Sequence, residues 1–253
     1  MIKKGAIDRY SNHAPKVEWI RSFYQLQERF FDEHELGSNM FASFMRFLRD
    51  AGMIDNDRNI TPLGKLLAKL GVYSEATWGI MFVNLCYSSE MLWFIKNVPV
   101  NEAIPCQQLS LMLQSDGERV LSSRNILDAY RKILQLPFGT MLGLGFVCDV
   151  DGKPAIFRKP WLVPDADVLL YSLYRYTEGK EDFFPFSLDE LMQESSENAV
   201  SPAQIFALTR EDLARLLSKL SAARPEFVTY DFETIALNEG KTSADVLKLF
   251  EEM

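Results

Sequence analysis

The sequence predicts a mainly α fold with small β-hairpins, built of helical subdomains with winged-helix-like character. Three observations carry that expectation. Apolar stripes at helical spacing recur through most of the chain, as in Phe41, Phe44, Met45 and Leu48 at i, i+3, i+4 and i+7. Helix-start signatures precede many of them, among them Thr61-Pro62, Ser187-x-x-Glu190 and Ser201-Pro202. β-prone residues are confined to short runs, the clearest at 146–150 and 155–158 around the turn residues Asp151-Gly152.

In chain order, the first helix is expected at about residues 16–33, with Trp19, Phe23, Tyr24, Phe30 and Phe31, and a break at Gly37-Ser38-Asn39. The Phe41 stripe follows and stops at Ala51-Gly52, where glycine supplies the left-handed residue of a helix end. Residues 55–59 are turn chemistry, and Leu63, Leu66, Leu67 and Leu70 form a helix that Thr61 caps and Gly71 closes. Ser74 opens a helix whose Trp78, Ile80, Met81, Phe82, Val83 and Leu85 lie on nearly every side, the pattern of a helix buried inside the fold. Helical texture continues through 91–95 until Pro99, and 101–105 reads as a loop.

Leu109, Met112 and Leu113 predict a short helix, Asp116-Gly117 a turn, and Ser122-Ser123 the cap of a helix over 122–134 that ends before Pro137. With the hairpin, this stretch reads helix, turn, helix, hairpin. Then come a helix over 165–176, the capped helix after Ser187, the Leu213, Leu216, Leu217 and Leu220 stripe behind Thr209, a short strand at 227–230 and a last helix from Ser243. Helix–turn–helix–strand texture recurs loosely near 39–60, 105–159 and 201–237, without a fixed period. The expected division is an N-terminal helical region over 1–104, a winged-helix-like unit over 105–164 and an acidic helical unit over 165–253.

The chain has 253 residues, 47% hydrophobic and 25% charged, enough to bury a substantial core without disulfides or metals. No apolar run reaches the roughly 18 residues of a membrane helix, and the N-terminal residues lack a signal-peptide core. Three widely spaced cysteines, Cys86, Cys106 and Cys148, without CxxC spacing, imply free thiols in a reducing compartment, and so a cytoplasmic protein. Net charge is −8, unevenly spread: residues 117–164 carry seven Lys/Arg against four Asp/Glu, net +3, and residues 165–253 carry eight against eighteen, net −10. An acidic chain is a poor polyanion binder overall, and the middle segment is where that objection weakens.

Catalytic signatures are missing. There are two histidines, His13 and His34, and no H-E-x-x-H. The run Asp32-Glu33-His34-Glu35 fits a solvated acidic helix end, since adjacent helical residues point apart and cannot close on one ion. No G-x-S-x-G is present, and Cys86 lies in the most apolar helix, where cysteine acts as a small hydrophobe. Gly139, Gly143 and Gly145 do not match a dinucleotide loop and fit a segment that needs backbone freedom. No cofactor and no metal is expected. Trp78 reads as core and Trp161, between two prolines, as an interface candidate.

The basic cluster is the candidate site. Arg124, Arg131 and Lys132 lie on the helix over 122–134, with Arg124 and Arg131 seven residues apart on a face away from Ile126, Tyr130 and Ile133. Lys153, Arg158 and Lys159 lie on or beside the hairpin. A winged helix binds DNA in this way, with its second helix in the major groove and its hairpin on the backbone, although such units also dock proteins. The expected partners are therefore DNA or another protein, and no membrane.

Several stretches resemble, as an ordered set, a known family. They are Ile60-Thr61-Pro62-Leu63-Gly64-Lys65-Leu66-Leu67, Thr77-Trp78-Gly79 with Asn84-Leu85, Leu136-Pro137-Phe138-Gly139, Val200-Ser201-Pro202-Ala203-Gln204-Ile205-Phe206 and Lys241-Thr242-Ser243-Ala244-Asp245-Val246-Leu247. They resemble the region after the catalytic domain in some bacterial phosphoadenosine phosphosulfate reductase-like proteins. That family includes sulfur-transfer proteins associated with DNA phosphorothioation and phage defence. The chain lacks the family's S-G-G-x-D-S nucleotide loop and its cluster-binding cysteines, so no catalytic residue carries over. The resemblance implies a non-catalytic accessory region that serves a reductase-like catalytic domain and guides it to DNA or to a partner.

Overall fold

Hydrophobic patterning of this kind closes helices over small sheets, and the computed structural model, which describes residues 7–180, 185–193 and 195–251, is mainly α-helical with two antiparallel sheets of three strands among those residues. The chain divides into two compact units, Met1–Lys159 and Pro160–Met253. No helix of the described residues is long and apolar enough to cross a membrane.

In the first unit, the single helix expected at 16–33 is instead α1 (Val17–Leu26), a 3-10 turn (Gln27–Arg29) and α2 (Phe30–Glu33). The break falls at Gln27, whose φ of +52° cannot continue a right-handed helix. It folds Phe30 back edge-on to Phe23 and Phe44, with ring centroids 5.7 and 5.5 Å apart. Helices α3 (Ser38–Asp50) and α4 (Pro62–Leu70) follow as the stripes predict, and the Thr61 hydroxyl accepts from the Gly64 amide at 3.0 Å. In α5 (Glu75–Leu85) every residue after Glu75 is buried, as its all-round apolar character requires. Helix α6 (Ser89–Asn97) is separate from α5, restarted by Ser88, whose hydroxyl accepts from the Met91 amide.

Residues 101–105, expected as a loop, contain β1 (Ala103–Pro105). Helices α7 (Cys106–Ser115), α8 (Val120–Ile133) and α9 (Pro137–Thr140) lead to β2 (Gly145–Val150) and β3 (Lys153–Arg158), in the sheet order β1-β3-β2. The register pairs Ile104 with Ile156, Gly145 with Arg158 and Val150 with Lys153. The boundary expected after residue 104 falls within β1, inside the first unit. Asp151 and Gly152 both have positive φ, +53° and +74°, as a two-residue type I′ turn needs. At Gly145 the backbone itself approaches, because a Cβ there would lie 2.3 Å from the Phe157 carbonyl oxygen. Ser122-Ser123 is not a cap: α8 starts two residues earlier, and buried Ser123 donates to the Val120 carbonyl at 2.9 Å within the helix.

The second unit contains α10 (Ala166–Glu178), β4 (Phe186–Ser187), α11 (Leu188–Met192), α12 (Pro202–Ile205), α13 (Arg210–Ala223), β5 (Val228–Tyr230), β6 (Thr234–Leu237) and α14 (Ser243–Leu249). Its sheet order is β4-β6-β5, so strand, helices and hairpin follow one another in the same order as in 103–158. The Ser187–Glu190 capping box is formed, with the Ser187 hydroxyl and the Glu190 carboxylate each accepting from the other's amide. Trp161 is not an exposed anchor: it is 4% exposed and packs edge-on against Phe206 at 5.4 Å.

Residues 7–12 are strapped to the first unit through buried acids. The Glu90 carboxylate, with no solvent exposure, accepts from the Arg9 and Tyr10 amides at 2.7 and 3.2 Å, and Glu118 accepts from the Ile7 amide at 3.1 Å. Arg9 grips Asp50 through two nitrogens, and Tyr10 Oη donates to the same carboxylate at 2.7 Å. Burial pushes the Glu90 carboxyl up to about 8, with the nearby Asp8 and Asp50 charges adding to the rise and the two amide donors opposing it. The unfolded chain loses this proton near pH 4.5 while the folded chain keeps it until about pH 8. Stability attributable to Glu90 is therefore full below pH 4.5 and is lost as pH rises towards 8, by at most about 1.4 kcal/mol per pH unit. Urea unfolding across that window should show stability falling with pH, and Glu90→Gln should flatten the fall. An unchanged slope in the variant would mean that another group titrates.

Candidate nucleic-acid interface

Helix α8 buries one side and presents the other. Ile126, Tyr130 and Ile133 are within 2% of full burial, and Tyr130 Oη donates to the Glu90 carbonyl at 2.7 Å, which fixes the helix against α6. Arg124 and Arg131 therefore project from the opposite side, where they line a groove of about 500 Å³ between α7 and α8. Arg124 is exposed and makes no ion pair with any described residue. Arg131 holds Asp128 at 3.3 Å with both side chains more than 40% exposed, a pairing of small energetic weight.

The other four cations go elsewhere. Lys132, one residue on, points away from that groove and donates to the Asn12 carbonyl. It lines a separate pocket of about 580 Å³ with His13, Lys16 and Trp19. Lys153 is exposed at the hairpin tip, beside Asp149 and Asp151, so the tip carries more negative than positive charge. Lys159 is exposed at the hairpin base, its ammonium 5.6 Å from the centre of the Phe146 ring.

Arg158 cannot serve as a phosphate contact in this fold. It is 4% exposed and donates to the Ile95 and Val98 carbonyls at 2.6 and 3.2 Å, at the C-terminal end of α6. Its guanidinium also lies 5.9 Å from the Phe94 ring centre. Burial lowers its ionisation to about 10, so it stays cationic at neutral pH. The period-2 alternation of β3 carries the signal: Arg158 shares a face with the buried Ile156 and not with exposed Lys153.

Sequence reasoning missed the apolar rim of the groove. Leu111 and Val120, which line it, are 61% and 52% exposed, and Leu121, next to Val120 in sequence but outside the lining, is 69% exposed. Leu111 and Leu121 lie off the stripes that pack α7 and α8, and that mismatch was the available signal.

Other chemistry is sparse. Cys106 lines the same groove, but burial raises its thiol ionisation, the reverse of an activated nucleophile. His34 stacks on Phe41 at 3.9 Å, and its Nδ1 accepts from the Leu36 amide at 3.2 Å. Among the described residues no group of three or more His, Cys, Asp or Glu side chains could hold a metal ion.

No family model and no curated protein matches the sequence. The chain is similar to two solved structures. One is an SspB crystal structure, with a TM-score of 0.65, 16% identity, and 98% of this chain and 86% of that one covered. The other is a magnesium ion-bound SspB crystal structure, with a TM-score of 0.67, 16% identity, and 97% and 88% covered. At that identity the likeness is one of fold.

The division of labour among the cations has a direct consequence for stability. Arg158→Met leaves two helix-end carbonyls without their donor and should cost about 2–4 kcal/mol in urea unfolding. Arg124→Ala, at an exposed site, should stay within about 0.5 kcal/mol of wild type. Equal stability of the two variants would contradict the assignment.

Proposed function

We propose that residues 103–159 form a winged-helix unit, and that the chain is a non-catalytic accessory module that contacts DNA through α8. The observation that carries this reading is the exposed Arg124/Arg131 edge of α8 inside a strand–helix–helix–hairpin unit. In such units the second helix enters the major groove, and cations along its exposed edge position it on the phosphates. The two arginines stand about 10 Å apart along the helix axis, two turns of α8, so they reach different phosphates. The surface balance of 117–164 supports the reading. Burial removes one cation, Arg158, and one carboxylate, Glu118, and leaves the net +3 of the segment at its surface. The hairpin contributes Lys159 at its base more than Lys153 at its acidic tip. The resemblance to reductase-like accessory regions supplies the partner in this reading: a sulfur-transfer enzyme of phosphorothioation or phage defence, which the module brings to DNA.

A second reading, a protein–protein scaffold without nucleic-acid contact, is favoured by the second unit. It repeats the connectivity of 103–158 but carries net −10, which repels phosphate and suits a basic protein partner.

Fluorescence anisotropy with a mixed-sequence DNA duplex across a salt series separates the two. The first reading predicts binding that weakens steeply with salt, and a log–log slope reduced by about 2 in the Arg124→Ala/Arg131→Ala variant. Absence of binding at low salt, or an unchanged slope in the variant, transfers the assignment to the scaffold.

A further inference from the structure

The chain exposes two features of opposite chemistry that its cores do not use. The first is the turn between β5 and β6. Phe232 sits at its apex, 82% exposed and with a φ of +75°, a region that bulky residues rarely adopt and glycine or asparagine occupy more easily. The turn is nonetheless firmly closed. Tyr230 Oη donates to the Phe232 carbonyl at 2.7 Å, the Asp231 amide to the Thr234 carbonyl at 3.2 Å, and the Thr234 amide to the Asp231 carboxylate at 2.9 Å. Asp231 and Glu233, both exposed, flank the ring. The hairpin thus holds an aromatic side chain between two carboxylates in one strained, water-facing conformation, the kind of outlier that points to use.

The second feature is the groove between α7 and α8. Its volume of about 500 Å³ is ample for an aromatic side chain, and its lining joins Leu111, Val120 and Leu127 to the guanidinium groups of Arg124 and Arg131. Gln107, Ser110, Gln114 and Asp128, the partner of Arg131, also line it. Among the described residues the groove thus offers one unpaired guanidinium, Arg124, and one shared with Asp128, beside an apolar floor that suits an aromatic ring flanked by carboxylates.

We propose that the Asp231-Phe232-Glu233 turn of one copy docks in the α7/α8 groove of a second copy, so that the chain self-associates head to tail. Phe232 enters the apolar part of the groove as the anchor, the role large aromatic side chains most often take at interface centres. Asp231 and Glu233 meet Arg124 and Arg131, and arginine–carboxylate contacts are among the stronger charged hydrogen bonds. The long-range fields agree, since the turn belongs to a unit of net −10 and the groove to a segment of net +3. The two surfaces differ, so the contact is heterologous. Each associated pair keeps one free turn and one free groove and grows further unless a ring closes. The groove cations are those assigned above to DNA, so a docked turn and a phosphate backbone exclude each other. The test contains no nucleic acid and is independent of that assignment.

The test is sedimentation velocity of the full chain over a micromolar concentration series at low and high salt. Wild type should gain mass with concentration and lose it with salt. Phe232→Asp and Arg124→Glu/Arg131→Glu should each weaken association at least about tenfold. An equal mixture of the two variants restores one intact contact, and should form a one-to-one species that grows no further. A wild type that stays monomeric throughout overturns the proposal, also where the groove proves to bind duplex DNA. So does association that Phe232→Asp leaves unchanged, or a mixture that forms no heterodimer.

Discussion

The hydrogen bonds from Arg158 to the Ile95 and Val98 carbonyls set the frame on which the candidate interface is built. A helix ends with carbonyls that no residue of the helix can satisfy, and a cation is the best donor for them. Here the donor comes from the last residue of β3, sixty residues along the chain. The same residue's carbonyl accepts from the Asn101 amide at 2.8 Å, and Val100 bridges to it, so the chain leaving α6 is led into β1. Next to it the Lys159 amide closes on the Leu144 carbonyl at 2.9 Å, fixing the base of the hairpin. One residue thus ties the end of α6 to β3 through its guanidinium and the segment entering β1 to β3 through its backbone.

Helix α6 is held at its other end by an acid. Glu90, in its first turn, gathers the Arg9 and Tyr10 amides, while its own carbonyl accepts from Tyr130 of α8. A carboxylate at a helix N-terminus has favourable company in the helix dipole, yet complete burial raises its ionisation all the same. These contacts settle which face of α8 turns inward. The face that remains carries Arg124 and Arg131, so the chemistry of the candidate site follows from how its buried neighbours are satisfied.

Much of this was legible in the sequence, and the failures are instructive. Local signals held: the Thr61 and Ser187 caps, the all-round apolar α5, the Leu213 stripe and the Asp151-Gly152 turn each appear as their chemistry dictates. What failed depends on distant partners. β1 and β4 are two or three residues long and exist because β3 and β6 pair with them, which no local pattern records. The break at Gln27 reflects the packing of Phe23, Phe30 and Phe44, and nothing local in Gln27. Within the candidate site, the Arg124/Arg131 pairing was legible from heptad spacing. The burial of Arg158 is invisible to a charge count and shows only in the alternation of β3, which places it on the face of Ile156. The burial of Trp161 is likewise non-local, since its flanking prolines say nothing of the Phe206 ring that covers it.

The cations of this segment divide into one that holds the fold, Arg158, and others that face solvent. The most direct test is arginine modification by phenylglyoxal in the folded protein, read residue by residue by mass spectrometry. The account predicts rapid modification of Arg124, with Arg158 unreactive until the chain is unfolded by denaturant. Modification of Arg158 at the rate of Arg124 under native conditions would contradict it.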